Sequence, residues 1–85
     1  MEQKLETISN AVSKALEDMK IIVTSVEYVM EGGYNFLRIE LDKVNGIDLD
    51  TIVDATNIIN PIIDELNLID DTYILDVISK ENGGN

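Results

Sequence analysis

The sequence predicts an α+β fold, a two-layer α/β sandwich in the order α-β-β-α-β, with a three-stranded sheet and helices packed on one face. Three observations predict it. Residues 2–19 and 49–66 place apolar side chains at helical spacing. Residues 21–30, 35–42 and 72–79 alternate in polarity or are rich in β-branched and aromatic types. Gly32-Gly33 separates the first two of these runs, where a tight hairpin turn needs positive φ.

The first helix carries its apolar stripe on Leu5, Ile8, Val12, Ala15, Leu16 and Met19, and ends near Met19 or Lys20. Lys20 suits the negative end of the helix dipole. In the first strand, Ile22, Thr24, Val26, Tyr28 and Met30 share one face, and Val23, Ser25, Glu27 and Val29 the other. The second strand sets Leu37, Ile39 and Leu41 against Phe36, Arg38 and Glu40. It runs antiparallel to the first, and Arg38 can pair with Glu27 across the hairpin.

Asp48 is the expected N-cap of the second helix, and Ile47 can staple onto Ile52. Pro61 removes a donor and clashes with the carbonyl of Asn57 in a continuous helix. A kink or break near Asn60 is therefore expected, giving a longer and a shorter helical piece. Residues 67–71 form a turn. The third strand, 72–79, puts Tyr73, Leu75 and Val77 on one face. If it is parallel to the second, the crossover should be right-handed. Residues 1–79 form a single α/β domain, and Lys80–Asn85, without an apolar anchor, is expected to be a disordered tail.

Eighty-five residues fit one domain. With 17 acidic against 6 basic residues, the net charge is −11, which disfavours gripping a nucleic-acid backbone or an anionic membrane. The absence of Cys excludes disulfides and thiolate chemistry, and the absence of His excludes Ser–His catalysis and imidazole metal sites. No apolar run is long enough to span a bilayer and no signal peptide opens the chain, so the cytoplasm is the expected compartment.

Any catalytic or metal site must then rest on carboxylates. Asp48, Asp50 and Asp54 gather at the start of the second helix, where a hard divalent cation could find oxygen ligands. The calcium-loop spacing is not met, and a capped, solvated helix face is the stronger reading. No catalytic residue, metal or cofactor is implied. Gly32-Gly33 precedes a strand rather than a helix and so is a turn, not a phosphate loop. Tyr28, Tyr34, Phe36 and Tyr73 make a poor base-stacking platform, because Arg38 is the lone cation beside them.

The ordered set of motifs resembles the N-terminal domain of the bacterial ribosome maturation factor RimP family. The resemblance is carried by Ser25-Val26-Glu27-Tyr28-Val29-Met30-Glu31-Gly32-Gly33 and by Leu37-Arg38-Ile39-Glu40-Leu41-Asp42-Lys43. It continues through Gly46-Ile47-Asp48-Leu49-Asp50, Asn60-Pro61-Ile62-Ile63-Asp64 and Tyr73-Ile74-Leu75-Asp76-Val77-Ile78-Ser79. It implies a non-enzymatic factor for assembly of the small (30S) ribosomal subunit. Members of the family join this domain to a small β-barrel domain. Here Lys80-Glu81-Asn82-Gly83-Gly84-Asn85 stands where the family carries a Pro-Gly-Leu segment, as expected of a fragment or of a single-domain relative.

The leading expectation is a domain that docks a basic ribosomal protein of the small subunit, with little direct nucleic-acid binding of its own and no membrane partner. Eight acids and no Lys or Arg lie between Val44 and Ser79. Glu27, Asp50, Asp54 and Asp64 are the expected partner-binding residues. The alternative is a stand-alone acidic interaction or self-associating regulatory module, pairing through an open edge of strand two or three. A carboxylate-only metal enzyme is the third reading.

Overall fold

The computed structural model describes residues 1–80. Its elements are helix α1 (Glu2–Ala15), a 3-10 turn (Glu17–Met19), strands β1 (Ile21–Glu31) and β2 (Tyr34–Lys43), helix α2 (Leu49–Leu66) and strand β3 (Ile74–Ser79). The sheet order is β1-β2-β3, with β1–β2 antiparallel and β2–β3 parallel. The order α-β-β-α-β and the three-stranded sheet are those the sequence predicts. Of the expected tail, residues 81–85 lie outside the described residues.

The core lies between the helices and one face of the sheet. Ile8 and Val12 of α1, with Leu16 just past its end, meet Ala55, Ile59 and Ile63 of α2 over Leu37, Ile39 and Leu41 of β2, and all nine are buried. Burying a side chain of this kind stabilises by about 1.5–3 kcal/mol. The helical stripes and the period-2 alternation of β2 therefore converge on one layer boundary.

The α-helical part of α1 stops earlier than expected, at Ala15. The chain tightens into the 3-10 turn and closes with Lys20 in the left-handed region at φ 61°. The Lys20 N–H donates to the Glu17 carbonyl at 2.9 Å and the Ile21 N–H to the Leu16 carbonyl at 3.3 Å. These two bonds satisfy carbonyls that the helix end leaves open.

The expected faces of β1 are corrected at its start. The register shifts between Val23, opposite Leu41, and Ser25, opposite Glu40, so Thr24 is an extra residue. Such a bulge inverts the alternation before it. Ile21 and Val23 consequently join Val26 and Tyr28 on the core side, while Ile22 is 56% exposed on the other. The Thr24 hydroxyl is placed to donate to the Glu40 carbonyl (3.1 Å) or carboxylate (2.7 Å), which anchors the irregularity.

Gly32 and Gly33 form the two-residue hairpin turn, at φ 58° and 84°. Asp48 caps α2 in extended conformation, its carboxylate accepting the Thr51 N–H at 2.8 Å. The expected break at Asn60 is absent, and α2 runs unbroken through Pro61. Asn57 and Pro61 both face solvent, so water can take the bond that proline cannot donate. Asn67, at φ 48°, ends the helix with its N–H on the Ile63 carbonyl at 3.0 Å. β3 begins at Ile74 rather than Thr72, whose carbonyl instead accepts from the Asn35 side chain at 3.3 Å.

Candidate interaction surfaces

α2 buries one face and turns the other outward. Positions 50, 54, 57, 61 and 64 fall within about 80° of one another around a 3.6-residue helix, opposite the buried Ala55, Ile59 and Ile63. Asp50, Asp54 and Asp64 therefore share an exposed stripe on the helix side of the molecule. Glu65 stands beside them. Asp48 is set apart by its chemistry. Its carboxylate also accepts the Thr51 hydroxyl at 2.7 Å, and these bonds hold its pKa below the usual carboxylate range. Among the described residues, no group of three or more acidic side chains is placed to hold a metal ion.

Glu27 lies elsewhere. It stands on the sheet face that neither helix covers, so the four expected partner residues divide into three on one side of the domain and one on the opposite side. Its expected ion pair is corrected too. Glu27 is opposite Arg38 in register, yet the guanidinium reaches past it. Arg38 Nη1 and Nη2 donate to the two Glu31 oxygens at 3.2 and 3.1 Å, and Nε donates to Asp76 Oδ2 at 2.8 Å. The guanidinium carbon lies 5.6 Å from the centre of the Phe36 ring. A fork-on-fork carboxylate bond and an aromatic ring along the way favour the extended side chain over the shorter reach to Glu27. The hydrogen bonds that Arg38 donates to Glu31, then to Asp76, raise its pKa further, and the same bonding lowers that of Glu31.

The aromatic residues also part company. Tyr28 and Tyr73 pack against the core, while Tyr34 and Phe36 stand on the open face. The Tyr28 hydroxyl is buried without a hydrogen-bond partner among the described residues, and burial, then the Asp71 charge, raises its pKa. Burial raises that of Tyr73 as well, followed by the charges of Asp64 and Tyr28. With two aromatics facing inward and Arg38 neutralised by two carboxylates, the open face lacks the cations that a base-stacking platform uses.

Compared with known families, residues 11–80 match the RimP N-terminal domain. The chain belongs to that family. The match opens within α1 and takes in all the elements that follow, from the bulged β1 to the end of β3. The RimP family is that of a ribosome maturation factor, and this chain supplies a domain of that kind. The RimP-type motifs occupy recognisable places: the paired glycines make the hairpin, Arg38 links the three strands, and Asp48 caps α2. Among the described residues, no helix is long and apolar enough to cross a membrane.

What sequence reasoning missed is the make-up of the open face. Val29, Phe36 and Ile74 are adjacent only once the strand order and register are known. Of the two strands expected to leave an open edge, strand three does and strand two does not, since β2 is the central strand and the edges are β1 and β3.

Proposed function

We propose that this domain is a non-enzymatic, cytoplasmic factor in maturation of the small (30S) ribosomal subunit, and that it docks a basic ribosomal protein through its acidic surface. Membership of the RimP family supports the ribosomal context. The observation that carries the docking reading is the distribution of charge. From Val44 to Ser79 the chain has no Lys or Arg, and its outward α2 stripe is acidic. On the sheet, the one guanidinium is already engaged by Glu31 and Asp76.

Complementary charge accelerates encounter and rejects wrong partners more than it adds affinity. The same charge repels a phosphate backbone, so the direct partner is protein, and any RNA contact is made by other parts of the assembly. No cofactor enters this reading.

Binding of the full chain to purified small ribosomal subunits, followed at low and at high salt, tests it. Retention at low salt that weakens as salt rises is expected. Absence of retention at low salt sinks the proposal, as does undiminished binding to protein-free ribosomal RNA.

A further inference from the structure

The register rules the helix-free face of the sheet into rows. Val29, Phe36 and Ile74 stand side by side across the three strands, Glu27, Arg38 and Asp76 form the next row, and Ser25, Glu40 and Ile78 the one after. The first row is apolar and open, with Ile74 45% exposed and the neighbouring Tyr34 64% exposed. The three strands give this face five carboxylates (Glu27, Glu31, Glu40, Asp42, Asp76) against one guanidinium, and Lys80 follows β3 near Glu40 and Ile78.

We infer that this open sheet face, rather than the α2 stripe, is the contact surface for the basic partner, and that it seats a segment bearing an apolar or aromatic anchor flanked by Lys or Arg. The inference rests on the docking reading above and names its surface. An anchor on the Val29–Phe36–Ile74 row places flanking cations beside Glu27 and Glu40. Desolvated apolar anchors carry most of the energy of a protein contact, and surrounding charges set its orientation. Beside the α2 stripe the exposed large apolar side chains are Leu49 and Val53, both at the start of the helix and not in a row across it, and the stripe points away from this face. Its share is the long-range field that speeds encounter.

Charge also selects among occupants. A second copy laid face to face would oppose five carboxylates with five, which like-charge repulsion disfavours. A nucleic acid meets the same repulsion. A cationic, apolar-tipped protein segment is complementary in both respects.

The test uses the full chain and purified small ribosomal subunits, with binding kinetics followed at low and high salt. Glu27→Lys combined with Ile74→Thr changes two exposed positions and keeps a β-branched residue in β3. Circular dichroism checks its fold, and Val29→Thr supplies an independent probe of the same row. The double variant is expected to bind about tenfold more weakly at both salt concentrations, chiefly through faster dissociation. Reversing Asp50, Asp54 and Asp64 to Lys is expected to slow association at low salt and leave dissociation unchanged. If the sheet variants bind like the unaltered chain while the α2 reversal abolishes binding, the assigned face is wrong and the docking reading stands. If the unaltered chain fails to bind at low salt, the docking reading falls and takes the inference with it. A dimer in sedimentation that Ile74→Thr dissolves would assign the face to a second copy and overturn the inference.

Discussion

Arg38 and Asp76 stand directly opposite each other in the parallel β2–β3 pair, with Nε 2.8 Å from Oδ2. Through its other two nitrogens the same guanidinium holds Glu31 at the far end of β1. One side chain thus links all three strands. The β1–β2 pair has a hairpin to fix its register, whereas β2 and β3 are joined only through α2. A slip of one residue would set Arg38 opposite Leu75 or Val77, whose side chains face the core. Charge therefore reinforces on the open face the register that packing sets on the covered one.

Replacing Arg38 with Met should accordingly destabilise the domain more than replacing either partner. Without Arg38, Glu27, Glu31 and Asp76 remain close together on one face with no cation between them. Glu31→Gln leaves Arg38 with Asp76, and Asp76→Asn leaves it with Glu31. Urea midpoints are expected in the order Arg38→Met lowest, then Asp76→Asn, then Glu31→Gln, with the spread narrowing in high salt. Midpoints equal to that of the parent in all three variants would show that the linkage carries no stability.

At the hairpin, Gly33 has φ 84° and open space around an added Cβ, so a substitution there meets backbone strain without steric contact. Gly33→Ala is expected to cost about 1–2 kcal/mol, the penalty of left-handed backbone for an L-residue. Gly32, at φ 58°, lies where asparagine is well tolerated, and Gly32→Asn should be nearly neutral. Thermal melts of the two variants compare the positions directly. A Gly33→Ala protein that melts with the parent would contradict the turn assignment.

Ile39 is completely buried at the centre of β2, under both helices. Ile39→Val should cost about 0.5–1.5 kcal/mol and Ile39→Ala about 2–5 kcal/mol. Small domains have about 5–15 kcal/mol in total, so the alanine variant should lose a large part of its stability. Equilibrium unfolding in urea measures both. A loss below about 1 kcal/mol for Ile39→Ala would mean that the layers close over the gap.

The elements were legible because each has a local cause: Leu37, Ile39 and Leu41 alternate, Gly32-Gly33 turns, and Asp48 caps. The bulge at Thr24 was not legible, because its anchor is Glu40, sixteen residues away, and nothing in residues 21–26 marks it. Pro61 misled for a related reason. Its cost depends on whether Asn57 faces water, which tertiary packing decides. Among the candidate surfaces, the acids of α2 were readable as a block. Their separation from Glu27 by the thickness of the domain was not, since which face of the sheet is left open depends on where the helices pack. Arg38 was expected to choose the residue opposite it, and the longer reach over Phe36 to Glu31 prevails through geometry that only the folded sheet provides.

Pro61→Ala restores an N–H toward the Asn57 carbonyl without touching the core, since both positions are exposed. Proline inside a helix costs about 3 kcal/mol, offset in part by the roughly 0.4–1 kcal/mol that its rigidity removes from the unfolded chain. The variant should therefore be more stable by about 1–2 kcal/mol, the solvent-facing site making the original loss smaller than in a buried helix. A raised thermal midpoint checks this. A lowered one would indicate that the rigidity Pro61 gives the chain outweighs the hydrogen bond it removes.

Acid should weaken the domain through two identified carboxylates. Bonds from the Thr51 hydroxyl and N–H lower the pKa of Asp48, and bonds from Arg38 lower that of Glu31. In each case the folded value lies below the unfolded one, about 3.9 for Asp and 4.3 for Glu. The unfolded chain therefore takes up protons first as pH falls. The stability these groups contribute is complete above the unfolded values and disappears as pH drops through the folded ones. Protonation also relieves repulsion among the 17 acids, which acts in the opposite direction. Comparison with Asp48→Ala and Glu31→Gln separates the two effects, because the general repulsion remains in all three proteins. At pH 7 both variants should melt below the parent, and the gap should narrow as pH falls from about 4.5 towards 3. Thermal midpoints across that range provide the measurement, and a gap that stays constant down to pH 3 would exclude these carboxylates as the acid-sensitive groups.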